Sequence, residues 1–303
     1  MKNAIITGGN GLLGYALKKK LGSENTFIKK SECDLMNYQQ LDEYILKKKT
    51  TEDADTIIHC AVSLNDIDPE IDIDEQVFYN NYLINKNIIE VAAMYKYKNF
   101  ISILSPYLLE DKINSHKHYN PKFRFNQGLI NSKKLLYHQT NFFGKTIPDS
   151  NWISIIPSHL YGQREKIDVD VKCPINTIML EAYKSIVKDT DFFIPYNKSF
   201  TYQFVFSEDM ANIISWSKDN WKKEEPLIAT NIKEYSVTEI ASIIANKFGI
   251  SENKIIFDKD KKHNPFKKHT KTDLSWFEFT PLEEGLEKTL EWFDVQINTY
   301  DII

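Results

Sequence analysis

Short β-branched runs alternate with amphipathic stretches through the first half of the chain. Ala4-Ile5-Ile6-Thr7 reads as a buried strand, Leu12 to Leu21 as a helix and Thr26-Phe27-Ile28 as a second strand. Tyr38 to Leu46 is helical, Thr56-Ile57-Ile58-His59 is a third strand, and Val77 to Tyr95 is a long helix. Phe100 to Leu104 gives a fourth strand, Gly128 to Phe143 a helix and Trp152 to Ile156 a fifth strand. Strands that are apolar on both faces, each followed by a helix, predict a parallel sheet covered on its two sides, a doubly wound α/β domain. Beyond Pro157 the pattern loosens. Ile175 to Val187 and Met210 to Trp216 read as helices, Asp191 to Pro195 as extended, and Ile255-Ile256-Phe257 as a strand. Ser236 with Glu239 forms a capping box for a helix ending near Gly249, Asp258 to Thr272 reads as loop, and Pro281 to Phe293 closes the chain as an amphipathic helix.

Composition narrows the class. The 303 residues, 42% hydrophobic, suffice for one main domain and a smaller appended one. With 38 basic and 42 acidic side chains the formal charge is -4, which gives no general attraction to nucleic acid or to an anionic membrane. No apolar run approaches the roughly 18 residues that span a bilayer, and the chain enters a strand at once, without the regions of a signal peptide. Cys33, Cys60 and Cys173 are odd in number and far apart, so neither a metal site nor a disulfide framework is expected and a reducing, cytoplasmic compartment fits.

Thr7-Gly8-Gly9-Asn10-Gly11-Leu12-Leu13-Gly14 joins the first strand to the first helix. Glycine is needed where a turn is tight, where backbone must approach a pyrophosphate, and where a helix packs close to a strand; the helix start then offers unpaired N–H groups to the anion. The context predicts a Rossmann-like NAD(P)-binding domain over residues 1–160, with later segments returning to it, and a mainly substrate-binding lobe over 161–303. An NAD-selective site carries an acid at the end of the second strand, about 20 residues on. Lys29 and Lys30 stand there instead. Cations suit a 2′-phosphate and favour NADP over NAD; the alternative is two solvated lysines. Asp34-Leu35 either meets the adenine amino group or caps the Tyr38 helix.

These residues resemble the extended short-chain dehydrogenase/reductase family, the NAD-dependent epimerase/dehydratases, over nearly the whole chain. The glycine loop is joined in this by the run from Asp55 to Ala61, the helix from Tyr79 to Ile89 and the segment Ile156-Pro157-Ser158-His159-Leu160-Tyr161-Gly162. Phe204 to Met210 and Phe279 to Gly285 complete it. The nearest branch epimerises and reduces GDP-linked 4-keto-6-deoxy sugars, so a nucleotide-sugar ligand, NADP and a homodimer are implied. By the same resemblance His59 and Ala61 lie along the cofactor and Pro157 and Leu160 approach the nicotinamide. His59 is alternatively a hydrogen-bonded strand end, and the Asn80 to Ile89 helix plain core packing with polar solvent positions.

The family's hydride chemistry uses a Ser, a Tyr and, four residues after the Tyr, a Lys that lowers the phenol pKa. Counting back from Asn141-Phe142-Phe143-Gly144 puts Phe125 at the Tyr position and Leu129 at the Lys position. Lys133, one turn after Leu129, has no tyrosine at the matching turn. Ser105 remains. The epimerisation Cys and His correspond to Tyr107 and about Val171, and the substrate-phosphate Arg to Tyr202-Gln203. Tyr107, two residues from Ser105 at a strand's C-terminal end, ranks first as a replacement acid, with His118, Tyr119, Lys122 and His159 behind it. Two functions stay open: a nucleotide-sugar oxidoreductase or epimerase with a non-standard active site, and a catalytically silent relative that binds dinucleotide or sugar nucleotide and regulates or scaffolds a partner enzyme.

Overall fold

The computed structural model describes residues 3–64, 73–109, 127–164, 173–261, 269 and 272–300. The chain forms two compact units, Met1–Pro157 with Ala211–Ala229, and Ser158–Met210 with Thr230–Ile303.

The first unit begins β1 (Ile5–Thr7), α1 (Leu12–Leu21), β2 (Thr26–Ile28), α2 (Tyr38–Glu52), β3 (Thr56–His59) and α3 (Ile73–Met94). It continues with β4 (Asn99–Ile103), a 3-10 turn (Pro106–Leu109), α4 (Gln127–Thr146) and β5 (Asn151–Pro157). The second unit takes up the chain with β6 (His159–Tyr161), α5 (Pro174–Val187), β7 (Phe192–Ile194), β8 (Thr201–Tyr202) and β9 (Phe204–Phe206). Helix α6 (Ser207–Asn220) carries the chain back to the first unit, where β10 (Leu227–Ala229) joins the sheet. The second unit then closes with β11 (Tyr235–Ser236), α7 (Val237–Phe248), β12 (Ile255–Phe257) and α8 (Leu282–Tyr300).

The six-stranded sheet runs β10-β5-β4-β3-β1-β2, with every pair parallel. This is the Rossmann-like doubly wound α/β class that the alternation of strands and helices predicts. Strand order reverses between β1 and β3, so Thr7 and His59, paired at the C-terminal ends of these strands, flank the crevice where such sheets take ligands. The strands are short and apolar throughout because both faces are covered: Ile5, Ile6, Ile57, Ile58, Phe100 and Ile101 are fully buried. Phe100 stacks on Trp152 with ring centroids 4.7 Å apart, and the Trp152 indole N–H donates to the Tyr97 carbonyl at 2.9 Å.

Several elements run past their predicted ends. α2 continues six residues beyond Leu46 because a Lys48–Glu52 pair and a Lys49 Nζ bond to the Ala54 carbonyl at 2.9 Å support a polar last turn that carries no apolar periodicity. Its N-cap is Asn37, whose side chain accepts the Gln40 N–H at 3.1 Å; Asp34, the residue expected to cap it, instead closes a local turn by accepting the Met36 N–H.

The second unit has short paired strands: β6 with β9 and β7 with β12 in parallel, β8 with β11 antiparallel. The Ser236–Glu239 capping box is formed reciprocally and α7 ends at Gly249 in the left-handed region, as the sequence predicts. Asp209 accepts both the backbone N–H and the hydroxyl of Thr280 at 2.8 Å, so two segments singled out by the family resemblance are bonded to each other. No helix among the described residues is long and apolar enough to cross a membrane.

Helices α3 and α4 meet at Gly128, where a Cβ would fall on the Asp74 carbonyl and 3.0 Å from the Phe78 nitrogen. Gly128→Ala must push two backbones apart, and thermal denaturation is expected to show a loss of about 2 kcal/mol.

Candidate active site

The glycine loop owes its shape to close approaches. Gly8 has φ +71°, and a side chain there would meet the Ala61 nitrogen at 2.9 Å; a Cβ on Gly14 would strike the Gly8 carbonyl. The Gly11 N–H returns to the Gly8 carbonyl at 3.0 Å, and the Gly9 N–H reaches Ile28 at 3.2 Å. Gly11, the N-cap of α1, supplies no side-chain cap, so the first-turn amides of Leu12, Leu13 and Gly14 are left for an external acceptor. Asn10 and Gly11 are exposed beside them. Lys29 and Lys30 are exposed just after β2, Lys29 in a surface pair with Glu32 at 3.1 Å. A neighbouring loop is fixed by Asn87, which donates to the Leu35 and Met36 carbonyls at 3.0 Å.

At the crevice, Thr7 organises a chain of hydrogen bonds whose proton directions follow from donor counting. Its Oγ1 accepts the N–H groups of Cys60 and Ala61 at 3.1 Å, so its own proton goes to His59 Nδ1 at 2.8 Å. His59 therefore carries its proton on Nε2 and donates it to Asn85 Oδ1 at 2.9 Å. The Asn85 amide in turn donates to the Ser132 carbonyl on α4 at 3.3 Å. Burial pushes the His59 imidazole down to about 3, and the Lys133 charge adds to the shift, so His59 stays neutral at ordinary pH. Asn81, on the same helix as Asn85, holds the strand exit: its amide donates to Ser63 and Val77 carbonyls at 2.7 Å and its oxygen accepts the Ser63 N–H.

The residue after Ser132 is Lys133, 6% exposed, with Nζ donating to the Ile103 carbonyl at the end of β4 at 2.9 Å. Burial pushes this ammonium down to about 8, with Cys60 acting in the opposite sense; the Cys60 thiol itself is pushed up to about 12 by burial. Leu129, one turn earlier, is partly buried. Ser105 is buried just past β4, its carbonyl accepting the Leu108 N–H at 3.1 Å, and Tyr107 packs on the core from the 3-10 turn. Phe125, His118, Tyr119, Lys122 and Val171 lie outside the described residues.

Pro157 ends β5 in the first unit, whereas Leu160 is on β6 in the second, where its carbonyl accepts the Cys173 thiol at 3.6 Å. In that second unit His159 is buried against Tyr202, ring centroids 5.9 Å apart, and burial with the neighbouring His269 holds it near 3. Gln203 grips His269 at both backbone groups, at 2.7 and 2.9 Å.

The sequence reading passed over Asn81, Asn85 and Asn87, which are 1, 2 and 3% exposed rather than solvent-facing, and gave Lys133 no partner. A signal was available. Four asparagines in one helix, Asn80, Asn81, Asn85 and Asn87, are poor helix formers, and such residues persist when their amides have backbone to hold.

Comparison with known proteins agrees with this geometry. A family model described as NAD dependent epimerase/dehydratase family matches residues 4–232. A probable GDP-L-fucose synthase of Drosophila melanogaster is 25% identical, over 99% of both chains. The GDP-L-fucose synthase of Dictyostelium discoideum is 23% identical, over 96% of this chain and 95% of that one. Among solved structures, a GDP-L-fucose synthetase from Naegleria fowleri bound to NADP superposes with a TM-score of 0.86 at 22% identity, covering 98% of this chain and 93% of that one. A GDP-6-OMe-4-keto-L-xylo-heptose reductase from C. jejuni gives 0.76 at 16% identity, covering 98% and 99%.

The buried ammonium has a measurable signature. Its pKa in the folded protein lies near 8 against 10.5 for an ordinary lysine, so between these values the unfolded chain holds a proton that the folded one has released. Stability must therefore rise with pH through that window. Denaturant titrations between pH 7 and 10 are expected to show the wild type gaining on Lys133→Met by about 2 kcal/mol; parallel curves would mean that Lys133 titrates normally.

Proposed function

The chain belongs to the NAD-dependent epimerase/dehydratase family, and we propose that it is an NADP-dependent reductase or epimerase of a GDP-linked keto-deoxy sugar with a non-standard active site. The observation that carries this reading is the cradle between β1 and β3. Backbone at Gly8 and Gly14 is too close to its neighbours for any side chain, the first turn of α1 has no side-chain cap, and a neutral buried His59 locks the strand ends beside them. Those groups fit a dinucleotide: amides of Leu12 to Gly14 for the pyrophosphate, Lys29 and Lys30 for a 2′-phosphate, Asp34 and Leu35 toward the adenine. His59 and Ala61 would lie along the dinucleotide, with Pro157 toward its nicotinamide end. When bound, the dinucleotide supplies or accepts a hydride. Ser105 and Tyr107, just past β4, are the groups assigned to orient the sugar carbonyl.

The similarity to GDP-L-fucose synthases over almost the full chain supports GDP as the nucleotide. Dimerisation is supported by α4, which leaves Leu135 and Phe142, two turns apart on one face, exposed for a second copy.

One observation favours the second reading, a silent relative that binds dinucleotide or sugar nucleotide and regulates or scaffolds a partner enzyme: Leu129, which has no proton to exchange, stands where the family pattern has its lysine. Turnover separates the two. Purified protein is expected to quench on titration with NADPH and to oxidise it in the presence of a GDP-4-keto-6-deoxy sugar; binding without turnover selects the silent relative. Because the Lys29–Glu32 pair is exposed and weak, Lys29 is recruitable by an anion. The double variant Lys29→Ala, Lys30→Ala should weaken NADPH binding by about tenfold or more, as loss of charge-assisted contacts predicts, while NADH binding is unchanged.

A further inference from the structure

The C-terminal ends of β3 and β4 gather three titratable side chains, and their bonding decides which of them can exchange a proton. His59 has both ring nitrogens committed, to Thr7 and to Asn85, so it cannot give up or take a proton without breaking the chain that ties β1 to α4. Cys60 is a partly buried thiol whose pKa is pushed up. Lys133 differs: Ile103 O is the one hydrogen-bond acceptor that the described residues give its ammonium, so two of its three N–H groups are uncommitted. Helical side chains lean toward the N-terminus, which carries Nζ back over the turn occupied by Leu129, a side chain with no proton to give.

We infer that Lys133 is itself the acid–base residue of this chain, its ammonium protonating the substrate's carbonyl oxygen directly. The assignment rests on the oxidoreductase reading above. In the reductive direction a hydride from the nicotinamide dinucleotide forms the new C–H bond, the carbonyl π pair moves to oxygen, an O–H bond forms as one Lys133 N–H breaks, and the neutral amine recovers a proton from water. In oxidation the neutral amine takes the hydroxyl proton.

Geometry also explains why such an amine is tunable. Cys60, whose charge acts on it, directly follows β3, and His59 at the end of β3 is neutral; α3 faces α4 with the uncharged Asn85, β4 with a carbonyl, and the 3-10 turn carries Tyr107. No carboxylate acts on Lys133 among the described residues. Burial without a counter-ion brings its pKa to about 8, within reach of the working pH, as a general acid requires. The chain Thr7–His59–Asn85–Ser132 positions the helix turn on which it sits.

The test uses the wild type, Lys133→Arg and Lys133→Met with NADPH and a GDP-4-keto-6-deoxy sugar. NADPH affinity is followed by fluorescence and kcat against pH in H2O and D2O. We expect a wild-type kcat that falls as pH rises through about 8 and is slower in D2O. Arginine keeps the charge but holds its proton, so Lys133→Arg should bind NADPH within about threefold of wild type and lose kcat by about 10²-fold or more. Arginine that rescues turnover within tenfold overturns the assignment and leaves the ammonium a fixed charge. A wild-type profile with no limb between pH 7 and 9 overturns it equally, and needs no variant to fold. Wild-type protein that binds NADPH and turns over no keto sugar overturns the oxidoreductase reading together with this one, whereas protein that fails to bind NADPH breaks the reading at its cofactor.

Discussion

One hydroxyl holds the crevice together. Thr7 Oγ1 takes two backbone N–H groups from the exit of β3 and gives its proton to His59, which fixes the ring's tautomer and sends a donor toward α3. Without that hydroxyl the partly buried Cys60 and Ala61 amides would both lose their acceptor. The tight approach of Gly8 to Ala61 depends on those amides being where Thr7 holds them. Loop, strand exit and helix α4 are thus one bonded unit, and rigid support of this kind is what a site built on loops requires.

Helix α3 distributes that order. Asn81, Asn85 and Asn87 hold, in turn, the segment after β3, the α4 backbone beside Lys133, and the segment after β2. Each amide is buried and bonded, so its burial costs little, whereas among the described residues Lys133 has a single acceptor and no counter-charge. A fold that keeps an ammonium in that condition sacrifices stability at one point, the pattern found at functional sites rather than in structural cores.

The sheet was legible in the sequence because its strands are uninterrupted apolar runs bounded by glycine, proline and charge; Ile5–Thr7, Thr26–Ile28 and Thr56–His59 end where the pattern does. The capping box at Ser236 was legible for the same reason, a local rule with a local cause. Two-residue strands such as β8 and β11 were not, since no periodicity develops over so short a run. At the site, glycines announce themselves by spacing. Lys133 did not, because its role depends on burial and on a carbonyl thirty residues away at Ile103, and counting back from the Gly144 end of α4 gives the lysine position to Leu129, one turn short of the side chain that reaches β4. The asparagines of α3 were hidden likewise: a helical pattern assigns faces, and only the tertiary structure shows which polar face is covered.

Strand β10 carries a consequence for biosynthesis. It lies at the edge of the main sheet beside β5, yet it is reached only after the chain has run through residues 158–210. A ribosome that has released everything up to Pro157 has therefore made five strands of the six and left the β5 edge bare, with its ladder of N–H and C=O groups open to any other extended chain. The nascent nucleotide-binding half must wait, exposed, for a strand about seventy residues downstream. For the same reason a cut after Pro157 does not isolate a domain.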